Sequence, residues 1–335
     1  MKILVTGANG LLGSNVVREL LARGADVRVL IRSTSNTVAL DGLSIERVYG
    51  DITNQELVFK ATYGCEIIIH VASSTSISYN NVEKYRDVNI DSVDHLIKAS
   101  KKNGIRRLIY VSSAGTIGYG SLIQPGTEKL GISDLFSNIP YVQSKKIAEE
   151  KILGATKDGH LDAVVVNPSF IIGKYDSKPS SGKIILMSYQ KKFLFVAPGG
   201  KNFVYAKDAA IAIVNAIHLG RSGECYLLTN ENLSFEQFYS LVENVSKYKP
   251  IKISLSKPVL YLAGLIGNFL SLLGIQTAAT QNNLRTLCVD QYYDNSKAIK
   301  ELELPTTPIE KAIKDSADWF IANKYIKCEA TEVNT

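Results

Sequence analysis

The sequence predicts an α/β chain, a doubly wound parallel sheet with a smaller C-terminal substrate lobe, and three observations carry that expectation. The first 170 residues alternate short β-branched runs with longer helical patterns, the form that repeated βαβ units take. The short runs are apolar without interruption, as strands covered on both faces are. A glycine-spaced turn joins the first run to the first helical pattern. Length agrees with this: 335 residues allow about two domains, and 45% apolar residues can fill two cores.

Strands are expected at about 2–6, 26–31, 45–49, 66–70, 106–112 and 162–167. Between them the periodicity predicts helices at Leu11–Arg23, Asn54–Thr62, Val82–Asn103 and Tyr141–Thr156, with Gly24 and Gly104 where a helix C-terminus takes a left-handed residue. After Pro168 the pattern becomes irregular and a second lobe begins, with a helix ending near Lys192. The chain is expected to return to the first domain through a helix at Ala206–Leu219 and a strand at Glu224–Leu228, and then to complete the small lobe. The cofactor domain is thus residues 1–169 plus about 206–230, the substrate lobe about 170–205 plus 231–326, and 327–335 a tail. The last helix, Pro308–Asn323, places Ile309, Ala312, Ile313, Ala317 and Phe320 at helical spacing.

Thirty-eight basic against 32 acidic side chains leave a net charge of +6, mild for this length. The pairs Lys101-Lys102, Arg106-Arg107, Lys145-Lys146 and Lys191-Lys192 fall on separate elements, which reads as solvated faces and predicts no nucleic-acid partner. Cys65, Cys225, Cys288 and Cys328 lie far apart with no CxxC pair, and the four histidines show no metal-ligand spacing, so neither disulfides nor a metal is expected. Met1-Lys2 runs straight into Ile-Leu-Val without an export signal, and a cytoplasmic location is expected. Residues 259–275, VLYLAGLIGNFLSLLGI, are uncharged and follow a basic segment holding Lys247, Lys249, Lys252 and Lys257. This run is shorter than a bilayer span and carries three glycines, so it predicts a buried helix or helix pair closing the small lobe. A membrane-facing or lipid-admitting surface is the alternative that is not favoured.

Thr6-Gly7-Ala8-Asn9-Gly10-Leu11-Leu12-Gly13 follows the first strand and opens the first helix. Gly7 permits the tight turn, Gly10 lets the main chain approach a pyrophosphate, and Gly13 lets helix and strand pack closely, while the helix start offers free N–H donors. The pattern predicts a Rossmann-type dinucleotide site. The second strand ends Ile31-Arg32-Ser33 with no acid to hold a ribose 2′-hydroxyl; Arg32 and Ser33 suit a 2′-phosphate, so NADP is expected over NAD. Asp51, in Gly50-Asp51-Ile52, either faces an adenine amino group or caps the helix after it.

Tyr141-Val-Gln-Ser-Lys145 puts a phenol and an amine one turn apart on a helical face, and a nearby cation would lower the phenol's pKa for acid/base work. Ser113 follows the fifth strand at the carboxyl edge, where ligands bind in open α/β sheets, and can hydrogen-bond a substrate oxygen.

These motifs, with His70-Val71-Ala72-Ser73, Val88-Asn89-Ile90 and Asn167-Pro168-Ser169, resemble the extended short-chain dehydrogenase/reductases over about residues 1–325. Asn167-Pro-Ser-Phe-Ile-Ile-Gly173, Asn202-Phe-Val-Tyr-Ala-Lys-Asp208 and Tyr293-Asp-Asn-Ser-Lys297 are similar to the branch of dihydroflavonol reductases and 3β-hydroxysteroid dehydrogenases. The resemblance implies that Tyr141 is the proton donor or acceptor, that Lys145 lowers its pKa and holds the nicotinamide ribose, and that Ser113 orients the reacting oxygen. It also implies that Ala72 and Ser73 line the cofactor cleft, that Pro168 and Ser169 flank the nicotinamide, and that the chain forms a homodimer. Asn89 either anchors backbone behind the site or takes part in catalysis, and His70 is expected to be structural rather than a base.

Ser113 is followed by Ala114, Gly115 and Thr116 rather than an acidic pair, which disfavours the family's dehydratase chemistry. After residue 107 the chain has only Arg221 and Arg285 to clamp a diphosphate, with Lys183 or Lys201 as substitutes. The expectation is therefore reduction or oxidation of a small neutral carbonyl or alcohol substrate. Nucleotide-sugar epimerisation is the first alternative and a non-catalytic dinucleotide-binding regulator the second.

Overall fold

The computed structural model describes residues 1–76 and 78–326, apart from the side chain of Gln190. The tail at 327–335, with Cys328, lies outside the described residues. The first half runs β1 (Lys2–Thr6), α1 (Leu11–Ala22), β2 (Asp26–Ile31), β3 (Glu46–Tyr49), α2 (Gln55–Thr62), β4 (Ile67–His70), α3 (Ser92–Asn103), β5 (Arg107–Val111), α4 (Asp134–Ser137), α5 (Pro140–Lys157) and β6 (Ala163–Pro168). Next come β7 (Phe170–Ile172), α6 (Lys183–Gln190), β8 (Phe193–Val196), β9 (Gly200–Tyr205), α7 (Ala206–Asn215), β10 (Cys225–Leu228) and β11 (Glu231–Ser234). The chain closes with α8 (Phe235–Ser246), β12 (Ile251–Ser254), α9 (Lys257–Leu272), α10 (Gln281–Thr286), β13 (Asp290–Gln291), α11 (Ser296–Leu302) and α12 (Ile309–Ala322).

Seven strands form one sheet in the order β10-β6-β5-β4-β1-β2-β3, and every pair in it is parallel. The strand order reverses at β1, where a crevice opens between the loops after β1 and β4. Ile3, Val5, Val29 and Ile69 point to the face covered by α1 and α7, while Leu4, Ile68, Leu108 and Val165 point to the face covered by α2, α3 and α5. That two-sided burial is what the uninterrupted apolar runs encode. The returning segment joins here: α7 packs on α1, and β10 pairs with β6.

Beyond the main sheet, β11, β9 and β13 form a second sheet with β7 paired to β9, and β8 pairs with β12. Phe203, Phe238, Ile309, Ile313 and Ala317 share its core, so the predicted apolar face of α12 is buried as expected.

Two expectations are corrected. Val82–Asn103 is not one α-helix: a 3-10 turn at Val82–Tyr85 and a π-helical turn at Arg86–Asp91 precede α3. Residues 259–275 do not close the small lobe as a buried element. They form α9 and its exit, held by Leu260, Gly264 and Gly267 alone among its buried positions, with Leu262, Ile266, Phe269 and Leu272 turned to solvent. Gly264 and Gly267 do not break the helix but form its contact face, while Gly274, at φ +80°, follows its end. A Cβ on Gly264 would lie 2.7 Å from Gln281 Cα, and one on Gly267 would lie 1.9 Å from the Ala279 carbonyl oxygen.

Candidate active site

The predicted site residues lie at or beyond the carboxyl ends of parallel strands or in the first two turns of α1 and α5. The turn after β1 is tight because Gly7 takes φ +67°, and a Cβ there would come within 2.5 Å of the Ala72 nitrogen in the loop after β4. A Cβ on Gly13 would lie 2.1 Å from the Gly7 carbonyl oxygen, so α1 rests directly on the turn. Gly10 starts α1 without a side-chain cap and without an acidic residue in the first turn. The opening N–H groups of Leu11 and Leu12 are therefore left to an anion, while their side chains are buried. This cradle fits a dinucleotide pyrophosphate. Asn9 stands at its rim, its Nδ2 donating to the Asn36 carbonyl at 3.1 Å.

Arg32 and Ser33 are exposed beyond β2, and Arg32 has no carboxylate partner among the described residues. Asp51 is not a helix cap: Asn54 caps α2, and Asp51 Oδ1 accepts from the Thr53 N–H and hydroxyl at 3.0 and 2.9 Å. Ile52, beside it, is buried.

On the other half of the crevice, Ser113 caps a short turn at Ala114–Thr116, and α5 brings Tyr141 and Lys145 beneath it. The Tyr141 phenol is engaged by the side chains of Ser113 and Ser73, yet burial outweighs both and pushes it up to about 12. Lys145 does not offset this. Its ammonium is turned away, donating to the Val111 carbonyl at 2.6 Å and lying 4.4 Å from the centre of the Tyr110 ring, and burial draws it down to about 7. In this geometry desolvation is the larger effect on both groups.

Asn89, on the π-helical turn, holds the loop after β4: its Oδ1 accepts from the Ser74 N–H at 2.7 Å and the Ser73 hydroxyl at 3.2 Å. Its Nδ2 donates to the Ser74 carbonyl at 3.1 Å and to Ser144 Oγ at 2.9 Å. These contacts are those of an anchor. His70 is buried with its Nδ1 2.7 Å from Thr6 Oγ1, and burial holds it near 3, a neutral structural ring. Beyond β6, Ser169 donates its hydroxyl to Asn202 Oδ1 at 2.6 Å and its N–H to the Leu228 carbonyl, which fixes the Pro168-Ser169 corner.

Sequence reasoning missed Glu149. It is 1% exposed, one turn after Lys145, and its Oε2 accepts from Ser112, Thr116 and Asn167 at 2.7, 2.8 and 2.9 Å. One carboxylate thus ties β5, the Ser113 turn and β6 to α5. Its signal was the heptapeptide-scale position four residues after Lys145, but a glutamate on a helix ordinarily reads as solvated.

A cleft of about 490 Å³ lies between Tyr119, Ser133, Asp134, Asn138, Tyr261 and Arg285. It adjoins the site through Tyr119, which packs with Tyr141 on the Phe136, Ile139 and Val142 cluster. Among the described residues no group of three or more His, Cys, Asp or Glu is placed to hold a metal.

Comparison with known proteins agrees with this geometry. Residues 3–228 match the model of the NAD dependent epimerase/dehydratase family. The chain is 31% identical to sterol demethylase protein B of Methylococcus capsulatus, covering 96% of this chain and 98% of that one. It is also 31% identical to a putative dihydroflavonol 4-reductase of Synechocystis, covering 97% and 96%. Among solved structures, that of gox2253 superposes with a TM-score of 0.84 at 29% identity over 97% of this chain and 99% of that one. With the glycine cradle, the strand-end serine and the Tyr-x-x-x-Lys helix in one crevice, the chain belongs to the NAD dependent epimerase/dehydratase family, among the extended short-chain dehydrogenase/reductase enzymes.

Proposed function

We propose that this protein is an NADP-dependent oxidoreductase that reduces the carbonyl of a small, mostly neutral substrate, or oxidises the corresponding alcohol. The observation that carries the reading is the Tyr141 phenol, held by Ser113 and Ser73 at the carboxyl edge and protonated at neutral pH, as tyrosine ordinarily is, with burial making it still harder to ionise. A protonated phenol is the form that donates to a carbonyl oxygen as it gains negative charge. When bound, the dinucleotide would supply or accept the hydride. Gly7, Asn9, Gly10, Leu11, Leu12 and Gly13 would hold its pyrophosphate, Arg32 and Ser33 the 2′-phosphate, and Asp51 and Ile52 the adenine. Ala72, Ser73, Lys145, Pro168 and Ser169 would border the nicotinamide side.

Ser113 orients the substrate oxygen toward the phenol. Tyr141 gives its proton to that oxygen as hydride reaches the carbon, so one carbonyl, one hydride and one proton make one alcohol. Asn89 keeps the Ser73–Ser74 loop in place, and Glu149 keeps the Ser113 turn against α5.

Four cations named as diphosphate ligands bear on substrate charge, and of these Arg221 is paired with Glu301 at 2.9 Å. Lys201 donates to Gln291 at 3.0 Å and is drawn down to about 8 by burial. Lys183 is exposed at the start of α6. Only Arg285 lines the cleft beside Tyr119, and it is the observation that favours the second reading, a nucleotide-sugar epimerase using the same tyrosine. The names of the two 31% identical relatives contain no nucleotide sugar, which supports the neutral substrate. An absorbance screen of NADPH consumption over ketones, aldehydes and nucleotide sugars tests the proposal. Net oxidation with a neutral carbonyl is expected; epimer interconversion of a nucleotide sugar without net oxidation would overturn it.

A further inference from the structure

The net charge of +6 conceals an uneven map. Between Asp176 and Asp208 there is no carboxylate, while Lys178, Lys183, Lys191, Lys192, Lys201 and Lys207 fall in that stretch. Between Glu243 and Asp290 there is again none, with Lys247, Lys249, Lys252, Lys257 and Arg285. These two stretches alone carry more positive charge than the whole chain's net. Lys191, Lys192, Lys247, Lys249 and Lys257 are exposed, and none has an ion-pair partner among the described residues.

The same stretches expose apolar side chains in an ordered way. On α9 the exposed residues Val259, Leu262, Ile266 and Phe269, with Leu273 at its C-cap, recur at helical spacing along one side, each more than half exposed. The opposite side is the glycine contact with residues 279–281, reinforced by the Gln281 N–H donating to Asn268 Oδ1 at 3.0 Å. Two residues before α9, β12 pairs with β8 so that Ile251 lies beside Phe193 and Ile253 beside Phe195, and all four point outward. Single exposed apolar residues are ordinary; a continuous helix face next to an apolar sheet face is not.

We propose that α9 and the outer face of the β8–β12 pair dock on the surface of an anionic lipid bilayer. The charge complementarity decides the partner: lysines without carboxylates rim aliphatic and aromatic side chains, the pairing that lets an amphipathic helix lie in the headgroup layer. A nucleic acid would match the lysines but gain nothing from Leu262, Ile266 and Phe269. The helix lies on the bilayer and does not cross it, since among the described residues no helix is long and apolar enough to span. Docking there turns the active-site side toward the membrane, because Asn80 of the loop that carries Ser73 donates to Ser271 Oγ of α9 at 3.0 Å, and Tyr261 of α9 lines the cleft beside Tyr119.

The test is co-sedimentation of the full chain with vesicles of phosphatidylglycerol and phosphatidylcholine, or of phosphatidylcholine alone, at low and high salt. The protein is expected to pellet with the anionic vesicles and to be released by salt. Leu262→Asp with Phe269→Asp, both at exposed positions, should weaken the partition at least about tenfold with an unchanged circular dichroism spectrum. Lys249→Glu with Lys257→Glu should weaken binding to the anionic vesicles by about tenfold or more. Protein remaining in the supernatant with both vesicle types would overturn the proposal. So would an apolar face occupied by a second copy, seen as a parent dimer that the Leu262→Asp, Phe269→Asp variant converts to monomer, or salt-sensitive retention by duplex DNA without vesicle binding. Vesicle binding requires no turnover, so its failure and that of the proposed reaction are read separately.

Discussion

Replacing Lys145 with Met is expected to abolish turnover while stabilising the folded protein below neutral pH. The ammonium is 2% exposed, and burial draws it from 10.5 to about 7, worth about 5 kcal/mol in favour of the neutral amine. Below pH 7 the amine is charged in both folded and unfolded chains, so the folded protein bears that whole penalty. Between pH 7 and 10.5 the unfolded chain keeps a proton that the folded chain has released. Stability of the parent therefore climbs across that window by about 1.4 kcal/mol per pH unit. Met forfeits the hydrogen bond to the Val111 carbonyl, about 1 kcal/mol, while the contact of the ammonium with the Tyr110 ring belongs to the protonated state alone. Below pH 7 the Lys145→Met variant should thus be the more stable protein, and its advantage should shrink by about 1.4 kcal/mol per pH unit from pH 7 upward. Urea unfolding followed by circular dichroism at pH 6, 7.5 and 9 measures it. A difference that stays constant across that range would refute the reasoning, because it would mean that Lys145 titrates alike in both states.

Four further outcomes follow from the same geometry. The parent should bind NADPH more tightly than NADH, and Arg32→Ala should reduce the preference; equal affinities in the parent, by fluorescence titration, would remove the 2′-phosphate role. Tyr141→Phe should lower kcat by about 10² to 10⁴-fold with cofactor affinity nearly intact, and full activity would remove the proton donor. Gly13→Ala should weaken NADPH binding strongly, because its Cβ would lie 2.1 Å from the Gly7 carbonyl oxygen; a normal titration curve would contradict that packing. Glu149→Gln should cost about 2 kcal/mol in urea unfolding, since Ser112, Thr116 and Asn167 lose a charged acceptor, and an unchanged midpoint would show that the carboxylate is not the tie between β5, β6 and α5.

What the sequence disclosed is what depends on neighbours along the chain. The glycine turn needs three residues at fixed spacing, Tyr141 and Lys145 are one helical turn apart, and the main-sheet strands, all but the edge strand β3 local runs rich in apolar residues, had their ends placed to within about a residue. What escaped depends on residues distant in sequence. Glu149 is buried only because β5 and β6 bring Ser112 and Asn167 to it. The π-helical turn before α3 interrupts an otherwise regular apolar period at Asn89, whose side chain holds Ser73 and Ser74 fifteen and more residues away. The small-lobe strands are two to six residues long and pair across wide gaps, as Ile251 does with Phe193. Residues 259–275 show a further limit: composition marks them apolar, but only the fold reveals that Gly264 and Gly267 face the protein while Leu262, Ile266 and Phe269 face out. Likewise, spacing brought Lys145 within one turn of Tyr141, whereas the direction of its ammonium is set by the Val111 carbonyl.

The central claim is that hydride and the Tyr141 proton are added to one substrate carbonyl and stay there. The measurement that tests it most directly is label transfer from NADPH deuterated at the reactive carbon, read by mass spectrometry of the product of whichever carbonyl the screen identifies. Deuterium on the new carbinol carbon, with stoichiometric oxidised cofactor and no transfer in Tyr141→Phe, is the predicted result. Label that remains on the cofactor while a substrate is interconverted between epimers would contradict it.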